Sequence, residues 1–237
     1  MEKVVGVFPV MPGKEAKDVA KILKGRDAEY AESRRRAGVQ MERAYAQETP
    51  MGTFVVAYIE SDKPFGETNA EMAKSDLQID RDFIKAIQEV HGFDATQPPP
   101  FDPPEVLGDW ADPDVTERKR GFAFCAPVIP GAEDKGRAFA KEAFERRRDE
   151  HTASRRALGV SREVVVLNHG PQGDVIGVYI EGDDPDAGNR AFAASRSDYD
   201  VWFKDQLKGI FPPQVDFNEP VPGVTEIFDS QDALVAH

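Results

Sequence analysis

The chain has 237 residues, 40% hydrophobic and 31% charged, with a net charge of −13. It is too apolar for a disordered chain and long enough for one large domain or two small ones with a proper core. The acidic balance argues against nucleic-acid and anionic-membrane partners, which need clustered Lys and Arg on one face, and no apolar run approaches the ~20 residues that span a bilayer, so the expected location is cytoplasmic.

The first apolar run, Val4–Val10, ends at Pro12-Gly13 and reads as a strand leaving a sheet. A charged stretch without proline follows, with Val19, Leu23 and Tyr30 at helical spacing and Gly38 where a C-terminal glycine cap belongs. The triplet Arg34-Arg35-Arg36 in it, like Arg146-Arg147-Arg148 later, lies among acidic residues and reads as a solvated, ion-paired helix face. Strands Gln40–Glu48 and Thr53–Glu60 flank the turn Thr49-Pro50-Met51-Gly52. A second helix is expected over Asp80–Val90, with Phe83, Ile87 and Val90 on one face, and a proline-rich segment leads to a short strand, Glu105–Trp110.

The order then repeats. Strand Phe122–Val128 ends at Pro130-Gly131, and a helix carries Ala140, Phe144, His151 and Leu158 to Gly159. Strands Arg162–His169 and Asp174–Glu181 flank Gly170-Pro171-Gln172-Gly173, a helix spans Asp200–Ile210, and Val224–Phe228 closes the series. Residues 29–64 shifted by 121 match at 14 of 36 positions, including Ser33-Arg34-Arg35 with Ser154-Arg155-Arg156 and Tyr58-Ile59-Glu60 with Tyr179-Ile180-Glu181. The offset is 118 at the first strand and 120 at Asp80 and Asp200, as loop insertions in a duplicated chain would produce. The expected fold class is therefore α+β, with two tandem ferredoxin-like βαββαβ modules spanning 1–112 and 118–230. One sheet with both helices on one face leaves the other face bare, so the two modules are expected to pack sheet to sheet as a self-contained pseudo-dimer, an intramolecular α+β barrel.

This duplicated βαββαβ order resembles the dimeric α+β barrel superfamily. That group includes cofactor-independent monooxygenases, polyketide cyclases, muconolactone isomerases, haem-degrading enzymes and chlorite dismutases. The stretches Tyr-Ile-Glu-x-Asp-x-Pro and Ser-Arg-Arg-x-x-Gly-Val also look like a group of bacterial tandem proteins, a likeness that implies no activity. No member's catalytic motif is matched, so no functional residue carries over.

If the sheets enclose the cavity, its lining must lie on strand faces turned away from the helices. Alternation then points Arg43, Tyr45 and Gln47 of the second strand and Tyr58 of the third inward, against Val164, Val166 and Asn168 with Tyr179 in the second copy. Arg43 could hold an anionic or carbonyl oxygen, with Tyr45, Gln47 and Tyr179 as further ligand contacts and Tyr58 and His169 as acid–base candidates. The alternative is that Arg43 pairs with a carboxylate and the tyrosines fill space. Of the other histidines, His91 is expected to cap a helix C-terminus as a cation, His151 to pack, and His237 to lie in a tail. Cys125, the one cysteine, sits in an apolar strand and is expected to be inert. With no metal-ligand spacing, P-loop or dinucleotide motif, no cofactor or metal is expected, and the partner is a small molecule. Three functions stay open: a cofactor-free monooxygenase, cyclase or isomerase; a non-catalytic binding or structural protein; and a haem protein with His91 or His151 as axial ligand.

Overall fold

The computed structural model describes residues 1–97, 102–170 and 172–235, without the side chains of 233–235. The expected turn residue Pro171, the prolines at 98–100 and the tail residue His237 lie outside that set. Two compact units emerge: residues 1–102 with 223–237, and residues 103–222. Each holds a four-stranded antiparallel sheet and its helices, consistent with tandem ferredoxin-like modules.

Unit 1 contains β1 (Glu2–Pro9), α1 (Lys17–Leu23), α2 (Asp27–Ala37), β2 (Val39–Thr49), β3 (Gly52–Ser61), α3 (Phe65–Ala73) and α4 (Gln78–His91). Unit 2 contains β4 (Glu105–Ala111), β5 (Arg120–Pro127), α5 (Glu133–Lys141), α6 (Arg148–Ala157), β6 (Val160–Asn168), β7 (Val175–Gly182), α7 (Pro185–Ala194) and α8 (Asp198–Leu207). The chain returns to unit 1 with β8 (Val224–Asp229) and α9 (Ser230–Val235).

The strand orders are β1-β3-β2-β8 and β4-β6-β7-β5. The expected module bounds, 1–112 and 118–230, therefore do not coincide with the compact units. The fourth strand of each copy completes the other copy's sheet: β4 pairs with β6, and β8 with β2. The reason is physical. Duplicated strands β2 and β6 present equivalent edges, so a fourth strand can close either sheet, and nothing in its own pattern names the partner.

Local chemistry explains the other departures. The first helix of copy one breaks at residues 24–26, with Gly25 at φ +74°. Its counterpart runs on through a π-helical turn, Glu142–Arg146, that turns Ala143 and Phe144 inward. Helices α3 and α7 were not anticipated. Both begin at the proline of the repeated Asp-x-Pro: Pro64 precedes α3, and Pro185 opens α7, where Asp184 accepts from the Ala187 amide at 2.9 Å. Proline suits a first helical turn because its missing N–H has no partner to lose there. Gly38, at φ 78°, ends α2 as expected.

Of the arginine triplets, Arg146-Arg147-Arg148 lies on a solvated, ion-paired face, Arg146 pairing with Glu142 and Arg147 with Glu150, but Arg34-Arg35-Arg36 does so only in part. Arg35 and Arg36 are exposed and pair with Glu32, but Arg34 is buried at 5% exposure, as is its counterpart Arg155 at 4%. Inward-pointing charge survives because each arginine meets a carboxylate from the strand beneath it: Glu42 for Arg34, Glu163 for Arg155. A serine–aspartate bond braces each pair, Ser33 to Asp80 at 2.5 Å and Ser154 to Asp200 at 2.6 Å. These residues recur in both copies, so the network belongs to the fold.

Candidate functional site

The strand alternation holds. Arg43 lies directly across from Tyr58 in the β2–β3 register, and Arg43, Tyr45, Gln47 and Tyr58 share one sheet face, all buried. Their polar groups already hold protein partners. Arg43 Nε is 2.8 Å from Asp229 Oδ2 and its Nη2 donates to Gln231 at 2.7 Å, while the Tyr58 hydroxyl donates to Glu60. Asp229 and Gln231 come from the exchanged C-terminal segment. In unit 2 the Tyr179 hydroxyl donates to Glu181 at 2.7 Å, and Arg118 holds the same carboxylate. His169 stands apart from Tyr179, at the hairpin end of β6, with Nδ1 3.0 Å from Asp174 Oδ1. Tyr179 faces Val164, five residues back along that strand.

His91 is a correction. Its ring is buried between Phe8 and Phe93 with Nδ1 2.8 Å from the Pro9 carbonyl, and burial lowers its pKa, so it packs as a neutral ring and is not a cationic cap. Cys125 is buried, and desolvation pushes its thiol up to about 12.

A cavity forms where alternation had not placed it, on the helix side of the unit 2 sheet. It encloses about 100 Å³ between β5, β6 and β7 below and the helices above. That is of the order of the ~150 Å³ apolar void that takes up benzene in an engineered core. Its wall carries Phe124, Phe139, Phe144, Phe192, Phe203 and Phe211 among aliphatic residues such as Val165, Ile176 and Val178. Exposed Glu219 lies at its edge.

Copy one differs at these positions. At the offsets found above, Phe124 corresponds to Gly6, Phe144 to Leu23, Phe192 to Met72 and Phe211 to His91, and only Phe203 keeps a phenylalanine, Phe83. The strand registers confirm the alignment, since Gly6 faces Ala57 as Phe124 faces Val178. Gly108 makes room for the ring: a Cβ there would sit 2.5 Å from Phe144.

Arg155 and Glu163 supply the charged inner end. Arg155 Nε donates to Glu163 Oε2, its Nη2 to Oε1 at 3.2 Å, and its Nη1 to Ser154 at 3.2 Å. Burial alone would raise the Glu163 pKa, but the charge of Arg155, its bonds and the His151 ring alongside outweigh it and hold the carboxyl at about 2. Behind it, His151 Nδ1 is 3.0 Å from the Tyr199 hydroxyl, and Nε2 lies 3.3 Å from Glu163 Oε2, off the hydrogen-bond line. Burial depresses the His151 pKa, so the imidazole is neutral near pH 7. Phe144 packs 4.5 Å from it, centroid to centroid, and Trp110 meets it edge-on at 5.6 Å.

Among the described residues no cluster of His, Cys, Asp or Glu could hold a metal ion, and no helix is long and apolar enough to cross a membrane. No family model matches the chain, and no curated protein matches it. It is similar to a solved structure from Fusobacterium nucleatum subsp. nucleatum, provisionally named a monooxygenase. The two are 13% identical over 94% of this chain and 88% of that one, with a TM-score of 0.49.

Proposed function

We propose that the chain binds a compact, largely apolar small molecule in the helix-side cavity of unit 2. The observation that carries this is the cavity itself: a phenylalanine-lined space that ends on two buried charged groups, the usual make-up of a small-molecule site. The contrast between copies supports it, because the rings are concentrated where only one copy has them. The sheet-face strip of Arg43, Tyr45, Gln47 and Tyr58 is structural in this reading, its polar groups being tied to Asp229, Gln231 and Glu60.

The finer reading is cofactor-free acid–base chemistry of the monooxygenase, cyclase or isomerase kind. It rests on His151. A general base works best with a pKa near the working pH, and Glu163 at about 2 is far too weak a base. His151, kept neutral by burial behind Glu163 and outside the cavity wall, would exchange a proton with a ligand only by way of that carboxylate, with Tyr199 on its other nitrogen orienting the ring.

Calorimetric titration with toluene tests the binding site. The wild-type chain should bind it, and Val178→Phe, which fills the cavity from β7, should abolish binding with the circular dichroism spectrum retained. A wild-type chain that binds no small aromatic molecule, or a folded Val178→Phe chain that binds as well as wild type, would overturn the reading.

A further inference from the structure

Given a ligand in the unit 2 cavity, we infer that Glu163 selects its chemistry: the site takes a neutral ring compound carrying one hydrogen-bond donor, a phenol-type hydroxyl or a ring N–H, and rejects ring carboxylates. This deepens the proposed function and rests on it.

The donors near the cavity's inner end are in large part engaged. Arg155 gives Nε and Nη2 to Glu163 and Nη1 to Ser154, with Asp200 a further 3.8 Å from Nη1. The Asn189 amide bonds the Val221 backbone on both sides, accepting from its N–H at 3.1 Å and donating to its carbonyl at 3.2 Å. An arriving anion could use only the remaining Nη hydrogens of Arg155 or the second Asn189 N–H, and would have to share the guanidinium with the carboxylate already on it. Glu163 is in the opposite condition. A carboxylate has about four acceptor positions, and Arg155 takes one on each oxygen, with His151 beside Oε2. Oε1 can still accept.

Charge reinforces this selection. The buried cluster contains two cations, Arg155 and Lys204, and two carboxylates, Glu163 and Asp200, with His151 neutral, so its charges already balance. Asp200 stays ionised on three hydroxyls, from Ser154, Ser195 and Ser197. A second anion brought into an apolar pocket against that balanced cluster loses its water with no cation of its own to offset the loss.

Unit 1 carries the inferred interaction within the chain. There the equivalent pair, Arg34 and Glu42, accepts a phenol hydroxyl: Tyr30 donates to Glu42 at 3.1 Å. In unit 2 the tyrosine is replaced by His151, whose Nε2 stands beside Glu163 Oε2, which leaves Oε1 as the oxygen to take a donor from a ligand.

Toluene, 4-methylphenol and 4-methylbenzoate, titrated calorimetrically at pH 7, separate the possibilities. A hydrogen bond to a charged acceptor should make 4-methylphenol bind about tenfold or more tightly than toluene, and 4-methylbenzoate should bind more weakly than either. In a folded Glu163→Gln chain the preference for the phenol over toluene should fall below about threefold. Toluene binding with no gain for the phenol, or a carboxylate that binds as well as the phenol, overturns the inference and leaves the cavity reading standing. If none of the three binds, both fall together.

Discussion

Replacing Arg155 with methionine keeps the packing of the aliphatic stem against Phe203 and removes the charge, whose carbon lies 4.7 Å from that ring's centre. Glu163, 5% exposed, is then a buried carboxylate without its cation. The structure sets the magnitude. Arg155 and its neighbours hold Glu163 at about 2 against an ordinary 4.5; at ~1.36 kcal/mol per unit that is on the order of 3 kcal/mol of stability at neutral pH. Breaking buried pairs elsewhere costs a similar 3–5 kcal/mol. Because the folded pKa is depressed, this contribution is complete above about pH 4.5 and drains away as pH falls toward 2. The cost of Arg155→Met should therefore shrink by about 1.4 kcal/mol between pH 5.5 and pH 3.5. Urea unfolding followed by tryptophan fluorescence measures it selectively, since the chain's two tryptophans, Trp110 and Trp202, both belong to unit 2. A cost under about 1 kcal/mol, or one that is the same at both pH values, would refute the assignment of Glu163 as a strongly paired carboxylate.

Gly182→Ala should cost about 2–3 kcal/mol by thermal unfolding, because its Cβ would press into the Gly159 carbonyl, whereas Gly6→Ala meets only the Phe8 side chain, which can shift where backbone cannot, and should cost less. His91 and His151 are both held neutral by burial, so stability should fall as pH drops through about 6.5, where the unfolded chain takes protons that the folded chain refuses. The melting temperature between pH 7.5 and 5.5 reads this, and replacing both with phenylalanine should flatten the slope. Ending the chain at Pro222 removes β8 from β2, Phe228 from its edge-on contact with Tyr30, and Asp229 and Gln231 from Arg43. Amide exchange should then rise across β2 and β3 while unit 2 keeps its protection.

The sheet faces were legible because strand alternation has period two: Arg43 and Tyr58 do share a face, and Glu42 does turn toward α2. Pairing of the fourth strands was not, because β4 and β8 see duplicate edges and carry no mark of which they join. Arg34 was hidden inside a charged triplet. Only its company, serine before it and a glutamate eight residues on in both copies, marked it as inward-facing. The cavity was not legible because alternation marks only the face a side chain takes, and this space depends on how the helices stand off the other face. Its trace was present nonetheless, in phenylalanines at 124, 144, 192 and 211 where the other copy has glycine, leucine, methionine and histidine.

The exchanged strands also set a timetable for synthesis. Unit 2 is one continuous stretch, 103–222, and has every strand of its sheet once that stretch has left the ribosome. Unit 1 is discontinuous, and its β2 edge stays unpaired from the emergence of Thr49 until Asp229 follows, some 180 residues later. At elongation speeds of ~5–20 residues per second that is roughly ten seconds or more of open strand edge. The half of the chain made first is thus the half finished last. Chaperone capture and misassembly between nascent chains on one message should concentrate on β2, and a slowed translation of residues 103–222 should lower the yield of folded unit 1 before it affects unit 2.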